Sequence, residues 1–253
     1  MSSSTNIVVV DTISLLHSCL TALANSTSIA VDLEGIALCR SGRLCILQLK
    51  ASDNDTIWLV DIVVLPADAF AVTGDGGHSL KSILESHSVK KLFFDVRNDS
   101  DALFNLFGVS LANVYDLQLL EVAVRSSNLR TPPRFLTGLV SSLETYLAPR
   151  KSATVVRSWA EVKEAGLLLF APERGGEYEI FDKRPLAPEL VKYCAQDVAL
   201  LHELEMVLHQ RIGTRGRNWE QRVRAESAVR VNFARLANYM PRGKDKALVP
   251  KNW

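Results

Sequence analysis

The stretch IAVDLEG, residues 29–35, decides how the rest of this 253-residue chain is organised. Its apolar run, 29–31, predicts a buried central strand, and two carboxylates, Asp32 and Glu34, follow directly. Because side chains alternate along a strand, both carboxylates point to one face and Leu33 points to the other. Carboxylates this close repel each other and lose hydration unless a cation lies between them. Oxygen ligands on a rigid strand suit Mg²⁺ or Mn²⁺.

Taken alone, such a pair more often marks a strand end that runs into a solvated loop, so the metal interpretation depends on the surrounding pattern.

Alternating or continuous apolar runs predict strands at 7–11, 29–35, 43–51, 56–62, 90–95 and 113–116. Helical spacing predicts helices up to residue 25 and over 80–87, 101–108, 117–125, 135–147, 158–170, 189–210 and 211–239. The three strands between 29 and 62 have short links and predict an antiparallel meander, and the later alternation predicts an α/β sheet covered by helices.

Charge is distributed unevenly along the chain. The net charge is +1, but residues 1–210 carry 18 Lys and Arg against 25 Asp and Glu, whereas residues 211–253 carry 11 against 3. We therefore expect an acidic domain over 1–210 with a basic helical extension over 211–253. The arginines of the extension alternate with Trp219, Phe233 and Tyr239, a mixture that can follow a single nucleic-acid strand by charge and stacking. The same residues can equally pack the extension onto the acidic body.

The four cysteines form no C-x-x-C pair and have no zinc spacing with the histidines. The start of the chain has no secretory apolar region, and no apolar run approaches the roughly 20 residues of a membrane span. We therefore expect an intracellular protein of the cytoplasm or nucleus, not secreted, with reduced thiols and no membrane contact.

Three acidic residues could complete a metal site from the middle of the chain. If a helix opens near Asn98, Asp99 lies in its first turn on the side of Leu103, which must face the sheet. Asp101 falls on a different face that we expect to be more solvated, and Asp95 lies on or just after the strand. Asp99 is the candidate, although an aspartate there can also serve only the helix N-terminus.

A second candidate lies in YCAQD, residues 193–197. Tyr193 and Asp197 are four residues apart on a predicted helix, so they lie on one face. By themselves they fit a core tyrosine and a surface aspartate better than a site. The ordered combination is more specific: a D-x-E on a strand, an Asp opening a helix, and Y-x-x-x-D on a late helix.

This combination resembles the DEDD exonucleases, and more narrowly the tyrosine-bearing subgroup that includes ribonuclease D and the Werner-type exonuclease domain. The flanking segments FFDVRNDSDALFNLFGV, VYDLQLLE and RPLAPELVKYCAQDVALLHEL agree, and the likeness covers roughly residues 7–210. The closest likeness is to fungal 3′–5′ exonuclease domain proteins related to the Egalitarian and EXD-type group. The histidine subgroup would need a histidine where Lys192 stands. The chain departs from the pattern at Phe94, where many relatives carry a histidine, and motif I reads DLEG.

The resemblance implies an α/β fold of the ribonuclease H-like, DnaQ-like exonuclease type, a mixed sheet flanked by helices. It also implies two divalent metal ions, Mg²⁺ or Mn²⁺, held by Asp32, Glu34, Asp99 and Asp197. Two such cations can stabilise the attacking and leaving oxygens of a phosphodiester hydrolysis. By resemblance, Tyr193 orients the attacking water. We do not expect it to act as a strong base, because a free phenol has a pKa near ~10.

Five residues are candidates for substrate contact. Gly35 follows the carboxylates and would let a terminal nucleotide approach the backbone. Four basic residues near the motifs can hold phosphates, although each also fits a solvated loop: Arg97, Arg174, Lys183 and Arg184.

From the acidic motif and the resemblance we predict a 3′–5′ exonuclease that acts on single-stranded RNA or DNA. The alternatives are a catalytically weak or inactive nucleic-acid-binding scaffold of the same fold and, with less support, an interaction module without nucleic acid.

Overall fold

The computed structural model describes residues 6–129, 133–213, 218–251 and 253. The strands are β1 (Asn6–Val10), β2 (Ser28–Ile36), β3 (Arg43–Ala51), β4 (Thr56–Asp61), β5 (Lys90–Phe93) and β6 (Val114–Asp116). The helices are α1 (Ile13–Ala24), α2 (Asp68–Ala71), α3 (Leu80–Glu85), α4 (Arg97–Phe107), α5 (Leu117–Asn128), α6 (Leu139–Tyr146), α7 (Ala153–Phe170), α8 (Pro188–Ala199), α9 (Leu201–Arg211) and α10 (Trp219–Ala234). Short 3₁₀ turns cover Ala148–Arg150, Pro172–Arg174, Tyr178–Asp182 and Lys244–Ala247.

Among the described residues the strands form one mixed sheet in the order β1-β4-β3-β2-β5-β6. β2, β3 and β4 pair antiparallel, which confirms the predicted meander. β1 joins β4 in parallel, β5 joins β2 in parallel, and β6 joins β5 in parallel. β2 is therefore an interior strand, as its apolar run predicts, and the α/β class with helices on a mixed sheet is confirmed.

The side-chain alternation of β2 assigns its residues to two different cores. Val31 and Leu33 pack in the core on one side of the sheet, with residues of α1, α3 and α4. Ala30 packs in the opposite core, which holds residues of α5, α6, α8 and α9. Asp32 and Glu34 have the same parity as Ala30, so they point toward the side that α8 covers. The strand thus presents its carboxylates to a helix-covered face and not to open solvent.

The predicted helix 189–210 is two helices, and the prediction of one continuous helix is wrong. The break falls at Leu200, whose φ of −107° and ψ of −3° separate α8 from α9. α8 packs on β2, β3 and β4, whereas α9 packs on α5 and β5, so the chain bends to cover two different surfaces. Neither glycine nor proline marks the break, and tertiary packing therefore overrides a sequence pattern that favours continuation.

α7 begins five residues before the predicted start at residue 158. Ser152 caps it, because its side-chain oxygen accepts a hydrogen bond from the backbone N–H of Val155 at 3.4 Å. The helix consequently runs for 18 residues and packs along α8. This extra length places more of α7 beside α8 than the sequence pattern indicates.

The C-terminal helix α10 packs against β6, α4 and α5. Its Arg230 is buried and donates to the carboxylate of Asp116 at 2.7 Å and to the side-chain oxygen of Gln118 at 2.9 Å. The same Asp116 carboxylate accepts hydrogen bonds from the backbone N–H groups of Asp95 and Val96, at 2.9 and 3.1 Å. One buried ion pair therefore links the extension to the turn that opens α4.

The aromatic residues of the extension favour packing over nucleic-acid contact. Trp219 and Tyr239 are buried, while Phe233 is 45% exposed. The Arg222 guanidinium lies 5.1 Å from the ring centre of Trp219 and 5.5 Å from that of Trp253. Two other arginines of the extension, at positions 215 and 217, lie outside the described residues. The division into two domains at residue 210 stays a prediction, and no described helix is long and apolar enough to cross a bilayer.

We predict that Arg230→Met destabilises the protein by about 3–5 kcal/mol, because it leaves the Asp116 carboxylate buried without its counter-charge. Arg224→Gln on the same helix is the matched control. Arg224 pairs with Glu220 at the surface, where such pairs contribute about 0–1 kcal/mol. Denaturant unfolding of both variants measures the difference. Equal losses for the two variants would show that the buried pair does not hold the extension in place.

Candidate metal centre and active-site cleft

Four carboxylates reach one end of the sheet from three elements. β2 supplies Asp32 and Glu34, and α8 supplies Asp197. One oxygen from each of these three side chains lies within 4.8 Å of the others. Asp99, in the first turn of α4, is buried and lies outside this group of three, but its charge contributes to raising the pKa of Glu34. The structure therefore brings together the four acidic residues that the sequence pattern selects.

Burial and mutual repulsion both act on these carboxylates. Burial, and after it the charge of Asp197, raises the pKa of Asp32 to about 8. Burial and the neighbouring charges also raise the pKa of Glu34, and the pKa of Asp99 rises for the same reasons. Among the described residues, Lys163 is the one cation that forms an ion pair with any of the four. A cluster of buried and half-buried oxygen donors with such an excess of negative charge fits divalent cations.

Lys163, on α7, is a site residue that the sequence analysis missed. Its ammonium donates to the Asp197 carboxylate and lies 4.0 Å from the centre of the Tyr193 ring. One turn further along α7, Gly166 lies against the same ring, and a Cβ there would fall 2.2 Å from the Tyr193 Cδ2 atom. Only a glycine permits this approach, so α7 determines where the tyrosine ring sits.

Tyr193 lies four residues before Asp197, and the structure confirms that both occupy one helix, α8. Burial, followed by the charges of Glu34 and Asp197, raises the pKa of the Tyr193 phenol. The hydroxyl therefore stays neutral at physiological pH and can donate a hydrogen bond, but it is a poor base. The Phe170 ring meets the Tyr193 ring edge-on, at 5.0 Å between centres, and helps to hold it.

The sequence does carry a signal for Lys163. Val156, Trp159, Lys163 and Leu167 recur at helical spacing along α7, so the lysine occupies a position that the amphipathic pattern assigns to an apolar side chain. The start of α6 carries a weaker signal. Gly138, which precedes the helix, and its first residues, 139–141, line the cleft beside the carboxylates, but none of them has a titratable side chain to mark it in the sequence.

The prediction that Asp101 faces solvent is wrong. Asp101 is fully buried, and its carboxylate accepts hydrogen bonds from the backbone N–H of Arg40 at 2.6 Å and from the Arg40 Nε at 2.7 Å. α4 is covered by α10 as well as by the sheet, so this second face is also buried. Asp101 holds α4 in place, and Asp99 is the residue of this helix that faces the other acidic side chains.

The four basic candidates for substrate contact are each engaged in an ion pair. Two of these pairs are well exposed, Arg174 with Glu164 and Lys183 with Glu177. Arg97 donates two hydrogen bonds to Asp95, at 2.6 and 2.5 Å. Arg184 donates to both oxygens of the buried Asp61 carboxylate. The fold itself requires a glycine at position 35, since a Cβ there would lie 1.9 Å from the Arg43 carbonyl oxygen. Their roles in substrate binding stay predictions.

Comparison with known proteins agrees with this fold. Residues 7–212 match the family described as 3′-5′ exonuclease. The chain is 32% identical over 190 residues to the piRNA biogenesis protein EXD1 of Mus musculus, covering 71% of this chain but only 29% of that protein. Trypanosoma brucei RNase D in its GMP complex superposes with a TM-score of 0.76 at 23% identity, covering 97% of this chain and 69% of that one. RNase D from the same organism in complex with RNA U12 gives a TM-score of 0.73, covering 99% and 78%.

The mixed sheet flanked by helices is the ribonuclease H-like fold of the DnaQ-like exonucleases. The chain belongs to the 3′-5′ exonuclease family. Proteins of this class use divalent metal ions, and the acidic cluster of this chain has the donor set they need. The chain spans less than a third of the mouse relative's length. The curated relatives are EXD1 proteins of animals, so the predicted grouping with fungal proteins is not confirmed.

We predict that Asp32→Asn raises the melting temperature of the protein when divalent cations are chelated. Asp32 has a pKa of about 8 in the folded chain and an ordinary value near 3.8 when unfolded, so folding takes up a proton between these pH values. The free energy of unfolding of the wild type therefore falls as pH rises from about 4 to 8, and the variant lacks this contribution. Melts across that pH range measure both effects.

Asp101→Asn is the matched control for this prediction, because it removes a buried carboxylate that has a cationic partner and should lower stability. Adding Mg²⁺ should raise the melting temperature of the wild type more than that of Asp32→Asn. If the two asparagine variants lose equal stability in chelator, repulsion among the four carboxylates is not a property of this site.

Proposed function

We propose that this protein is a metal-dependent exonuclease that removes nucleotides from the 3′ end of single-stranded RNA or DNA. The observation that carries the proposal is the convergence of Asp32, Glu34 and Asp197 within 4.8 Å, with Asp99 and Tyr193 beside them. Isolated acidic clusters are common, but a buried one beside a neutral phenol in a cleft suits phosphodiester hydrolysis. The cleft has a volume of about 460 Å³ and also reaches Gln118 and the start of α6.

Each residue has a role that follows from its position. Asp32, Glu34, Asp99 and Asp197 would hold two divalent cations, Mg²⁺ or Mn²⁺. When bound, such a pair supplies charge stabilisation to the attacking and leaving oxygens of an in-line displacement. The neutral Tyr193 hydroxyl would donate to or orient the attacking water. Lys163 lies between Asp197 and the Tyr193 ring, where it adds positive charge close to an incoming phosphate.

The relatives support nucleic acid as the substrate class. The RNase D structure was determined with RNA U12 and, in another crystal, with GMP. The mouse and human relatives are described as piRNA biogenesis proteins. Since only part of those proteins matches this chain, we take from them the substrate class alone and not a pathway. Single-stranded RNA is accordingly the first substrate to test, with DNA of the same sequence beside it.

A digestion time course of 5′-labelled RNA and DNA oligomers tests the proposal. With Mg²⁺ or Mn²⁺ we expect a ladder that shortens from the 3′ end, and with EDTA we expect no digestion. Asp32→Asn should abolish the ladder, because it removes a ligand, while binding of the oligomer persists. Oligomers that bind but stay whole under all metal conditions would contradict the exonuclease proposal and favour a binding protein of the same fold.

Tyr193→Phe tests the role of the hydroxyl alone, because the ring and its packing against Gly166 and Phe170 are retained. We expect the rate to fall by a factor of about 10²–10⁴, with the affinity for Mg²⁺ little changed. Calorimetric titration with Mg²⁺ is the second measurement. Cleavage at the wild-type rate would show that Tyr193 only fills the core.

A further inference from the structure

A second cavity adjoins the cleft and has no role in the chemistry described above. It has a volume of about 300 Å³ and lies between α6, α7 and α8. Its walls are mostly apolar and include Leu143, Val156, Trp159 and Leu167. We call this cavity the α6–α7 groove. Because apolar side chains line an open groove beside a charged centre, the groove can accept a flat, uncharged part of a ligand.

The groove adjoins the cleft that holds the carboxylates. Val140, Lys163 and Tyr193 line both cavities. Lys163 lies at the junction, where its ammonium faces Asp197 on the cleft side and covers the Tyr193 ring. Because the two cavities share these side chains, a ligand whose phosphate sits beside the carboxylates has the groove within reach on the other side of Lys163.

A few polar side chains besides Lys163 stand among the apolar residues that line the groove. Glu144, Glu164 and Gln196 contribute to its lining, and the Gln196 side-chain amide donates to the Trp159 backbone carbonyl at 3.2 Å. Trp159 is half-buried, so part of its indole remains open to a ligand. An apolar wall with an aromatic ring and a few polar side chains complements a nucleobase, which has apolar faces and hydrogen-bonding edges.

We propose that the α6–α7 groove holds the nucleobase of one of the two nucleotides that flank the scissile bond, with Trp159 as its stacking partner. The proposal rests on the proposed function for the position of the phosphate. Recognition by ring faces accepts every base, so the groove contributes affinity without strong sequence preference. Lys163 then lies between the base in the groove and the phosphate in the cleft, close to the sugar–phosphate link.

The test is a binding measurement that does not depend on turnover. Fluorescence anisotropy of a 5′-fluorescein oligouridylate gives the dissociation constant in an Asp32→Asn background, which prevents digestion. Four further substitutions are added to this background: Trp159→Ala, Trp159→Phe, Ala160→Leu and the control Leu168→Ala. Ala160 is exposed and lines the groove, so a leucine there fills it without deleting a contact. Leu168 is on α7 but outside the groove and is 53% exposed.

We expect Trp159→Ala to weaken binding about tenfold, a loss typical of one stacked base, and Trp159→Phe to restore part of it. Ala160→Leu should weaken binding as well, and Leu168→Ala should leave it unchanged. The strand is then prepared with the base missing at the 3′-terminal or at the next nucleotide. At the position that occupies the groove, the strand without a base should bind Trp159→Ala and its parent equally.

Unchanged binding by both Trp159→Ala and Ala160→Leu would overturn the proposal, provided that melting temperatures show both variants folded. An equal loss on every strand, with or without the base, would also overturn it, because the tryptophan would then act on the fold. If the wild type binds RNA through the groove but digests nothing, the proposed exonuclease activity fails and the groove assignment stands. If the protein binds no strand at all, both fail.

Discussion

The mutual repulsion of four carboxylates, two of them buried and two half-buried, is the constraint on which this structure depends. Each of them has a raised pKa, and burial is the largest cause in every case. A surface carboxylate can relieve such repulsion by rotating into solvent. A carboxylate enclosed by β2, α4 and α8 cannot, so the elements that carry it must be held firmly. β2 is held by strands on both sides, and α8 lies across β2, β3 and β4. The rigidity of the central sheet is therefore a requirement of the site as well as of the core.

α4 is positioned by a different device. The turn before it passes through Asp95 at a positive φ of 70°, and its two backbone N–H groups bond to the buried carboxylate of Asp116. Asp116 in turn needs the Arg230 guanidinium of α10 as its counter-charge. The C-terminal helix thus contributes to the placement of α4, the helix that carries Asp99. For Arg230, packing against the acidic body accounts for a basic residue in the extension.

Much of this arrangement could be predicted from the sequence, because it is local. Alternation along β2 places Asp32 and Glu34 on one face, and helical spacing places Tyr193 with Asp197. The missed features are non-local. Asp101 is covered by Arg40, which lies 61 residues earlier and donates to the Ala234 carbonyl at the end of α10, and no periodicity in α4 shows that this second face is covered. Lys163 is visible only as a charge in an apolar stripe, which has meaning once α7 is known to lie against α8.

α7 connects these observations to function. Its glycine admits the Tyr193 ring, its lysine neutralises part of the acidic cluster, and its apolar face forms a wall of the α6–α7 groove. The carboxylates proposed as metal ligands come from β2, α4 and α8, so the positions of α7 other than Lys163 and Gly166 can change without disturbing them. Under the proposed function, the groove-lining positions of α7 are therefore where substrate preference can change. The acidic motif lies on β2, α4 and α8 and the groove wall on α7. The motif therefore predicts a reaction but carries no information about which nucleic-acid substrates enter the cleft.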